Sequence, residues 1–341
     1  MISFENDYST GAHEKVLKRL MDTNRIPKTG YGCDDFCDLA KMKIKAVCKN
    51  PDAEIYFLVG GTQTNQVVID TMCAPYEGVI AAKTGHINAH EAGAVEFCGH
   101  KVLPCGHKDG KISAEDVEKY VDDFYSESSY EHMVFPGMVY VSHPTEYGTL
   151  YTKKELSDLY EVCQKHNMRF FIDGARLAYG LCAEKTDVKI EDLGSLCDVF
   201  YIGGTKCGAF CGEAVVFTHS NMPAHFNTRV KQHGAMLAKG RFLGLQFDAL
   251  FTNDLYFEIG RHAIAMAKRL HSAFSSHGYE FYIDSPTNQQ FVIMDNEKMR
   301  SLSEKAAFSV WEKYDDTHTV VRFVTSWSTS DDDIAELEKL L

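Results

Sequence analysis

The chain has 341 residues, of which 45% are hydrophobic and 24% are charged, and these values are typical of a folded globular protein with more than one domain. Asp and Glu (48) outnumber Lys and Arg (35), which gives a formal net charge of −13, and no long block of basic residues occurs. These values argue against nucleic acid and anionic membrane surfaces as partners.

The sequence also carries information on cellular compartment and metal content. No apolar stretch approaches the roughly 20 residues that span a bilayer, and the opening MISFENDYSTGAHEK lacks a basic leader and a hydrophobic signal core. Eleven cysteines, an odd number, suit reduced thiols better than a disulfide framework. Cys33/Cys37 and Cys207/Cys211 have C-x-x-x-C spacing without a following His or Cys pair, so we expect no metal site and a cytoplasmic location.

In chain order, short apolar runs alternate with amphipathic segments up to residue 217. The runs that predict strands are 54–59, 78–82, 137–142, 168–173, 198–203 and 213–217. Two intervening helices begin with capping patterns, Ser113 with Asp116 and Thr152 with Glu155. The alternation predicts an α/β fold with a mainly parallel central sheet covered by helices on both faces.

After about residue 225 the rhythm changes to a long, largely helical stretch that reads as a connecting helix through residues 242–274. Two further apolar runs, 291–295 and 320–327, precede a terminal helix that begins near Ser330. This pattern predicts a small C-terminal α/β domain. We place the division between residues 1–245 and residues 246–341.

The first candidate site residues lie in GGTQTN (60–65), where a strand ends and a helix begins. Glycines let the backbone approach a ligand, and the N–H groups at a helix start attract phosphate, although many α/β proteins turn this way for packing reasons. His86 follows the next strand, where a flat imidazole can stack on an aromatic ligand and move protons near neutral pH. We expect His90 and Glu91 on the following helix, with a structural role for His90.

Two later strands also end in residues that can carry chemistry. Asp173 ends one strand, with Arg176 close behind, and Lys206 follows the next strand in VFYIGGTKCGAF. Ligands of open α/β sheets bind at such strand ends. Burial lowers the pKa of a lysine, so that its neutral amine can attack a carbonyl. A phosphate turn, an aspartate and an enclosed lysine together match pyridoxal 5′-phosphate, which needs a phosphate cradle, a partner for the ring nitrogen and a Schiff-base lysine.

With these residues in place, the chain resembles the L-threonine aldolase and β-eliminating lyase family of pyridoxal-phosphate enzymes. The matching segments span nearly the whole chain in order: FENDYSTGAH, YGCDD, GGTQTN, GHINAHEAG, DGARLAYG, GGTKCG and VRFVTSW. The resemblance implies the aspartate-aminotransferase-like fold (fold type I) of the PLP transferases. It also implies a homo-oligomer, dimer or tetramer, with active sites at subunit interfaces.

The resemblance also implies roles for single residues. It assigns Gly61 and Thr62 to the phosphate, His86 to the ring face, Asp173 to the ring nitrogen, Arg176 to the cofactor and the substrate carboxylate, Lys206 to the covalent link, and Arg322 and Asn6 to the substrate carboxylate. It leaves Tyr31, Lys239 and Arg241 as candidates for contacts with a neighbouring subunit's phosphate. Arginine suits a carboxylate because its planar fork donates two parallel hydrogen bonds.

Two departures from the family pattern affect the substrate end of the site. Asn6-Asp7 stands where the aldolases usually have Ser-Asp, and SHPTEYGT (142–149) stands where they often have Glu-Asn-Thr-His, so a histidine implicated in removing the β-hydroxyl proton is missing. His143 is near that position but aligns poorly. The base therefore stays open between His86 and a water held by a neighbouring side chain.

We favour retro-aldol cleavage of a threonine-type β-hydroxy-α-amino acid to glycine and an aldehyde. One alternative uses the same cofactor for β-elimination or transamination of a small amino acid, since the bond that breaks is the one held perpendicular to the ring. A second alternative, from another class, is a non-catalytic α/β binding module. Lys206 and Asp173 argue against that module.

Overall fold

The computed structural model describes residues 2–341, which form a large sheet, a small sheet and one short strand pair. The strands are β1 Ile2–Ser3, β2 Glu54–Leu58, β3 Glu77–Ala82, β4 Val102–Cys105, β5 Phe135–Ser142, β6 Arg169–Asp173, β7 Val199–Gly203, β8 Glu213–Phe217, β9 Glu280–Phe281, β10 Gln289–Asp295, β11 Ala306–Ala307, β12 Ser309–Lys313 and β13 His318–Val324.

Helices cover both faces of the large sheet and link it to the small one. They are α1 Glu14–Thr23, α2 Asp35–Val47, α3 Gly61–Met72, α4 His86–Ala89, α5 Ala94–Phe97, α6 Ala114–Ser126, α7 Lys153–Lys165, α8 Leu177–Leu181, α9 Leu193–Leu196, α10 Phe226–Gln232, α11 Arg241–Leu250, α12 Leu255–Ser276, α13 Asn296–Ser303 and α14 Asp331–Glu338. Short 3-10 turns lie at Tyr130–His132 and Ile190–Asp192. Among residues 2–341, no helix has the length and apolar character to cross a bilayer.

The large sheet has the strand order β2-β8-β7-β6-β5-β3-β4, and only β8 runs antiparallel to its neighbours. The mainly parallel sheet is therefore confirmed. Successive residues of β6 face opposite sides, so that Phe170 and Ile172 pack in one hydrophobic core and Phe171 in the other. This alternation explains why the strands read as continuous apolar runs, since both of their faces are buried.

All six predicted strands are present, with ends that differ by no more than two residues. The sequence reading missed β4, which is short and contains the exposed Pro104. Proline cannot donate to a strand ladder, and β4 tolerates it because it is an edge strand of the sheet. Both predicted capping boxes are formed, at Ser113 before α6 and at Thr152 before α7.

The expected connecting helix is two helices, α11 and α12, that are separated by a short turn. Asn253 and Asp254 adopt left-handed backbone angles in this turn (φ 52° and 63°), and this conformation prevents a continuous helix from α11 into α12. α11 packs against α1 and α2, whereas α12 contacts α8 on one side and α14 with β10 on the other. The long helix thus lies between the two sheets.

The small sheet has the antiparallel order β12-β13-β10-β9. The N-terminal residues join this part of the molecule, because β1 pairs with β11 and Phe4 packs with Phe274 and Phe323 in its core. Residue 245 lies within α11. The division into residues 1–245 and 246–341 stays a prediction.

The topology gathers the predicted site residues at one edge of the large sheet. The carboxyl ends of parallel β2, β3, β5, β6 and β7 meet there. Because β8 is antiparallel, its first residue, Glu213, lies at this same edge opposite Gly203. The edge therefore receives the side chain of Glu213, which was not among the predicted site residues.

Candidate active site

Two adjoining cavities open at this edge of the sheet. The inner cavity, about 300 Å³, is lined by the turn at Gly61 and Thr62, by Asp173 and by Lys206. The outer cavity, about 590 Å³, extends toward the small sheet and is lined by residues that include Arg322. The structure thus brings the predicted cofactor residues into one cavity and the predicted carboxylate-binding arginine into the next.

The turn at the start of α3 has the properties of an anion site. Gly60 precedes the helix without a side-chain cap, so its first N–H groups are free of capping partners. A Cβ added to Gly60 would meet no atom within 4 Å, whereas one on Gly61 would lie 3.2 Å from the hydroxyl oxygen of Tyr201. The bare backbone therefore faces the cavity at a helix start that favours phosphate.

Lys206 follows β7 in a turn that closes on β8. Gly204 N–H donates to Gly212 O (2.9 Å), and Glu213 accepts from Gly204 N–H (3.1 Å) and the Thr205 hydroxyl (2.8 Å). Burial and the charge of Arg176 lower the pKa of the Lys206 amine. A lowered pKa increases the fraction of neutral, nucleophilic amine.

Asp173 is buried at the end of β6 and accepts four hydrogen bonds. The donors are the hydroxyls of Tyr140 and Tyr201 (2.5 Å each), Ala175 N–H (2.9 Å) and the Asn65 amide (3.3 Å). Burial and the carboxylate raise the pKa of both tyrosines well above their ordinary value, so both phenols remain donors. The sequence analysis did not predict a role for these tyrosines. The spacing was a signal for one, because side chains two residues apart on a strand share a face: Tyr140 lies on the same face of β5 as Ser142, and Tyr201 on the same face of β7 as Gly203.

His86 begins the one-turn helix α4, and Glu91 holds its imidazole ring in place. Nδ1 lies 2.7 Å from Oε1 of the buried Glu91, which also accepts from the Asn65 amide (2.7 Å). The expectation that His90 and Glu91 share the following helix is wrong, because α4 ends at Ala89. The chain then turns through Ala92 at positive φ (53°), and Glu91 points back to His86.

Arg176 is committed to a partner from the N-terminal segment. Its Nε and Nη2 donate to the two oxygens of buried Asp7 at 2.7 and 2.9 Å, and the Asn288 amide donates to the same carboxylate at 3.0 Å. Burial would raise the pKa of Asp7, but Arg176 and Lys206 lower it overall. Asn6 Oδ1 accepts from Tyr8 N–H (2.9 Å) and the Ser9 hydroxyl (2.8 Å), which is a local turn.

Arg322 on β13 lacks such an anionic partner. Its hydrogen bonds go to the neutral Gln289 Oε1 (3.1 Å) and Ser309 Oγ (3.3 Å), and its buried Nε has no partner among residues 2–341. Burial and the charge of Arg176 lower its pKa to about 10. A guanidinium that is partly desolvated without a counter-ion is suited to bind a carboxylate from a ligand.

Further groups of the site edge were not predicted to act there. Glu213 and Glu146 line the inner cavity, and burial raises the pKa of Glu213 to about 8. His143 is fully buried, and neither of its ring nitrogens has a hydrogen-bond partner among residues 2–341. It is therefore a core residue next to the site edge.

The residues suggested for a neighbouring subunit lie away from both cavities. Tyr31 is half exposed with φ 61°, Lys239 is exposed, and the Arg241 guanidinium donates to the carbonyls of Ile26 and Thr23. Their contact with a partner stays a prediction.

The chain matches the family described as beta-eliminating lyase over residues 31–297. It is 26% identical to the low specificity L-threonine aldolase of Pseudomonas aeruginosa, over 98% of this chain and 96% of that protein. It is 24% identical to a low specificity L-threonine aldolase of Escherichia coli O157:H7, over 99% and 97%.

Solved structures agree with this relationship. The threonine aldolase of Leishmania major has a TM-score of 0.96 at 38% identity, with 100% of this chain and 98% of that chain covered. An aspartate aminotransferase mutant of Thermus thermophilus has a TM-score of 0.70 at 14% identity, with 100% and 92% covered. The predicted resemblance and the aspartate-aminotransferase-like fold are both confirmed.

The buried His143 predicts a specific loss of stability in acid. Burial lowers its pKa from an ordinary 6.5 to about 4. Between these values the unfolded chain binds a proton that the folded protein does not, so stability falls as pH decreases from 6.5 to 4. Because one pKa unit corresponds to about 1.36 kcal/mol, protonation of His143 lowers the free energy of unfolding by roughly 3 kcal/mol over this pH range.

We expect His143→Leu to remove that contribution, which denaturant unfolding at a series of pH values between 4 and 7.5 would measure. His132→Leu is the matched control at an exposed position. If the free energy of unfolding falls equally steeply with decreasing pH in wild type and in His143→Leu, His143 does not cause the acid sensitivity.

Proposed function

The chain belongs to the beta-eliminating lyase family, and we propose that it is a pyridoxal 5′-phosphate-dependent lyase that cleaves a threonine-type β-hydroxy-α-amino acid to glycine and an aldehyde. The observation that carries the proposal is the convergence of the Lys206 amine and the Asp173 carboxylate in one cavity, next to the guanidinium of Arg322, which has no anionic partner among residues 2–341. The names of the relatives favour aldol cleavage over elimination or transamination.

The residues present fit the cofactor. Gly61 and Thr62 would hold its phosphate, Lys206 its aldehyde and Asp173 its ring nitrogen, with His86 against the ring face and Arg176 beside it. When bound, the cofactor provides an electron sink for the pair released at Cα. The chain's own contribution is to align the substrate so that the Cα–Cβ bond is the one that breaks.

Substrate alignment would come from the arginines. Arg322 lines the outer cavity and bonds only to neutral side chains, whereas the fork of Arg176 is already paired with Asp7 and is held in a fixed position. A bidentate contact at one end of the substrate fixes its rotation, and the position of the side chain follows. Asn6 remains a weaker candidate for carboxylate contact, because its Oδ1 is engaged locally.

We also propose a cytoplasmic homo-oligomer, dimer or tetramer, whose sites lie at subunit interfaces. Among residues 2–341, the Lys and Arg side chains that line the inner cavity are Lys206 and Arg176, and neither is free to neutralise a phosphate dianion. Tyr8 and Phe210 near the cavity are about half exposed, at 54% and 49%. A neighbouring copy would cover these rings and supply a cation.

Sedimentation equilibrium is expected to give a dimer or a larger oligomer, and a monomer at micromolar concentration would contradict the proposed oligomer.

The function is tested by incubating the purified protein and cofactor with L-threonine and L-allo-threonine, with glycine and acetaldehyde as the expected products.

Borohydride reduction links the cofactor covalently to wild-type protein if Lys206 forms the Schiff base. Lys206→Ala should abolish this covalent labelling and lower the cleavage rate by roughly a thousandfold or more. Lys154→Ala, at an exposed site, is the control. Pyruvate with ammonia, or a keto acid without free aldehyde, would instead indicate the alternative lyase or aminotransferase. Failure to bind cofactor would indicate a binding module.

The Arg322 role predicts a selective binding defect. Arg322→Lys keeps the charge but loses the planar fork, so we expect kcat/KM for threonine to fall about 10-fold to 100-fold, mainly through KM. The cofactor absorbance should be unchanged. Arg300→Lys, an exposed position, controls for the substitution itself. An unaltered KM would remove Arg322 from the substrate site.

A further inference from the structure

The position at which the two cavities join is the place for an acid–base residue. Five residues line both cavities: Tyr8, His86, Glu146, Arg176 and Lys206. A guanidinium and a phenol hold their protons near neutral pH, and Lys206 is assigned to the cofactor. An imidazole and a carboxylate remain as bases that can reach a substrate held between Lys206 and Arg322.

Glu146 is anchored through one of its two oxygens. Oε1 accepts from the Ser142 hydroxyl (2.7 Å) and from the backbone N–H of His86 (2.9 Å). Oε2 accepts no hydrogen bond from any other residue among residues 2–341, and it is not sealed from solvent. The carboxylate is therefore held in place while one oxygen stays available to a ligand.

The other carboxylates of the inner cavity have both oxygens engaged. Asp173 accepts four donors. Glu213 binds Gly204 N–H through Oε2 and the Thr205 hydroxyl through Oε1. Glu312 lines only the outer cavity, from β12 of the small sheet. Glu146 is thus the inner-cavity carboxylate with a free oxygen, within the part of the chain that the structure describes.

His86 is less suited to take a substrate proton. Its Nδ1 lies against Glu91, and its ring is assigned to the cofactor face. Burial raises the pKa of Glu146, although hydrogen bonds from the Ser142 hydroxyl and from the backbone N–H of Glu146 itself oppose the shift. A base with a pKa closer to neutrality accepts and returns a proton more effectively than an ordinary surface carboxylate.

We propose that Glu146 is the catalytic base that removes the β-hydroxyl proton during cleavage, an inference that rests on the proposed function. The hydroxyl proton moves to Glu146 Oε2, and the O–H electron pair becomes the second bond of the aldehyde C=O. The Cα–Cβ bond breaks and its electron pair stays with Cα, which takes up a proton to give glycine. Glu146 returns its proton to solvent or product, so the protein ends unchanged. This carboxylate fills the role left open by the missing strand-end histidine.

Glycine separates this role from a structural one, because it has no β-hydroxyl. Glu146→Gln should lower kcat for threonine cleavage by roughly 100-fold to 10,000-fold, with little change in KM. Exchange of the glycine Cα proton in D₂O, and the glycine Kd from the absorbance change of the bound cofactor, should stay within about threefold of wild type. Glu146→Asp should recover part of kcat, since the carboxylate is retained.

Several outcomes would overturn the assignment. Equal losses of cleavage, glycine exchange and glycine affinity in Glu146→Gln would mean that the residue only maintains the site. A selective loss of cleavage in Glu312→Gln, with Glu146→Gln still active, would move the role to the outer cavity. Wild-type protein that exchanges glycine but forms no aldehyde from threonine would reject the proposed function itself, and the base with it.

Discussion

The buried carboxylate of Asp173 ties together the elements that form the site. A carboxylate removed from water costs several kcal/mol unless hydrogen bonds compensate it. Here the donors come from β5 through Tyr140, from β7 through Tyr201 and from α3 through Asn65. Asn65 also donates to Glu91, which in turn holds His86. The orientation of the predicted stacking residue therefore depends on the same network that satisfies Asp173.

The charges of the site fall into paired and unpaired groups, and this division separates structural roles from binding roles. Asp7 and Arg176 neutralise each other, and a buried pair of this kind contributes chiefly position. Lys206 and Arg322 have pKa values lowered by burial and by Arg176, and Arg322 bonds only to neutral side chains. The aldehyde and phosphate of the cofactor and the carboxylate of the substrate would supply the partners that Lys206, the start of α3 and Arg322 do not have within the chain.

Local patterns in the sequence were enough to predict the strands, the capped helices and the residues at the strand ends. They predicted Asp173 and Lys206 because each lies at or just after the end of an apolar run, and such ends meet at one edge of a parallel sheet. They did not predict Glu146, Glu213 or Tyr201, since these meet the site only through the order β8-β7-β6-β5. Strand order is set by packing between distant segments, which a local pattern does not contain. The left-handed residues Ala92, Asn253 and Asp254, which redirect the chain after α4 and after α11, are further cases, because none of the three is a glycine.

The Asp7 carboxylate is one of the contacts that couple the small sheet to the large one. The N-terminal strand pairs with β11, and Phe4 is buried in the core of the small sheet, so this segment belongs structurally to that side. Three residues later, Asp7 accepts from Arg176 of the large unit and from Asn288 of the small one. Arg322 projects from the small sheet and Lys206 from the large sheet, so the spacing between the carboxylate-binding and covalent groups is set across this junction. A change at Asp7 would therefore alter substrate alignment, although Asp7 is hydrogen-bonded to neither group.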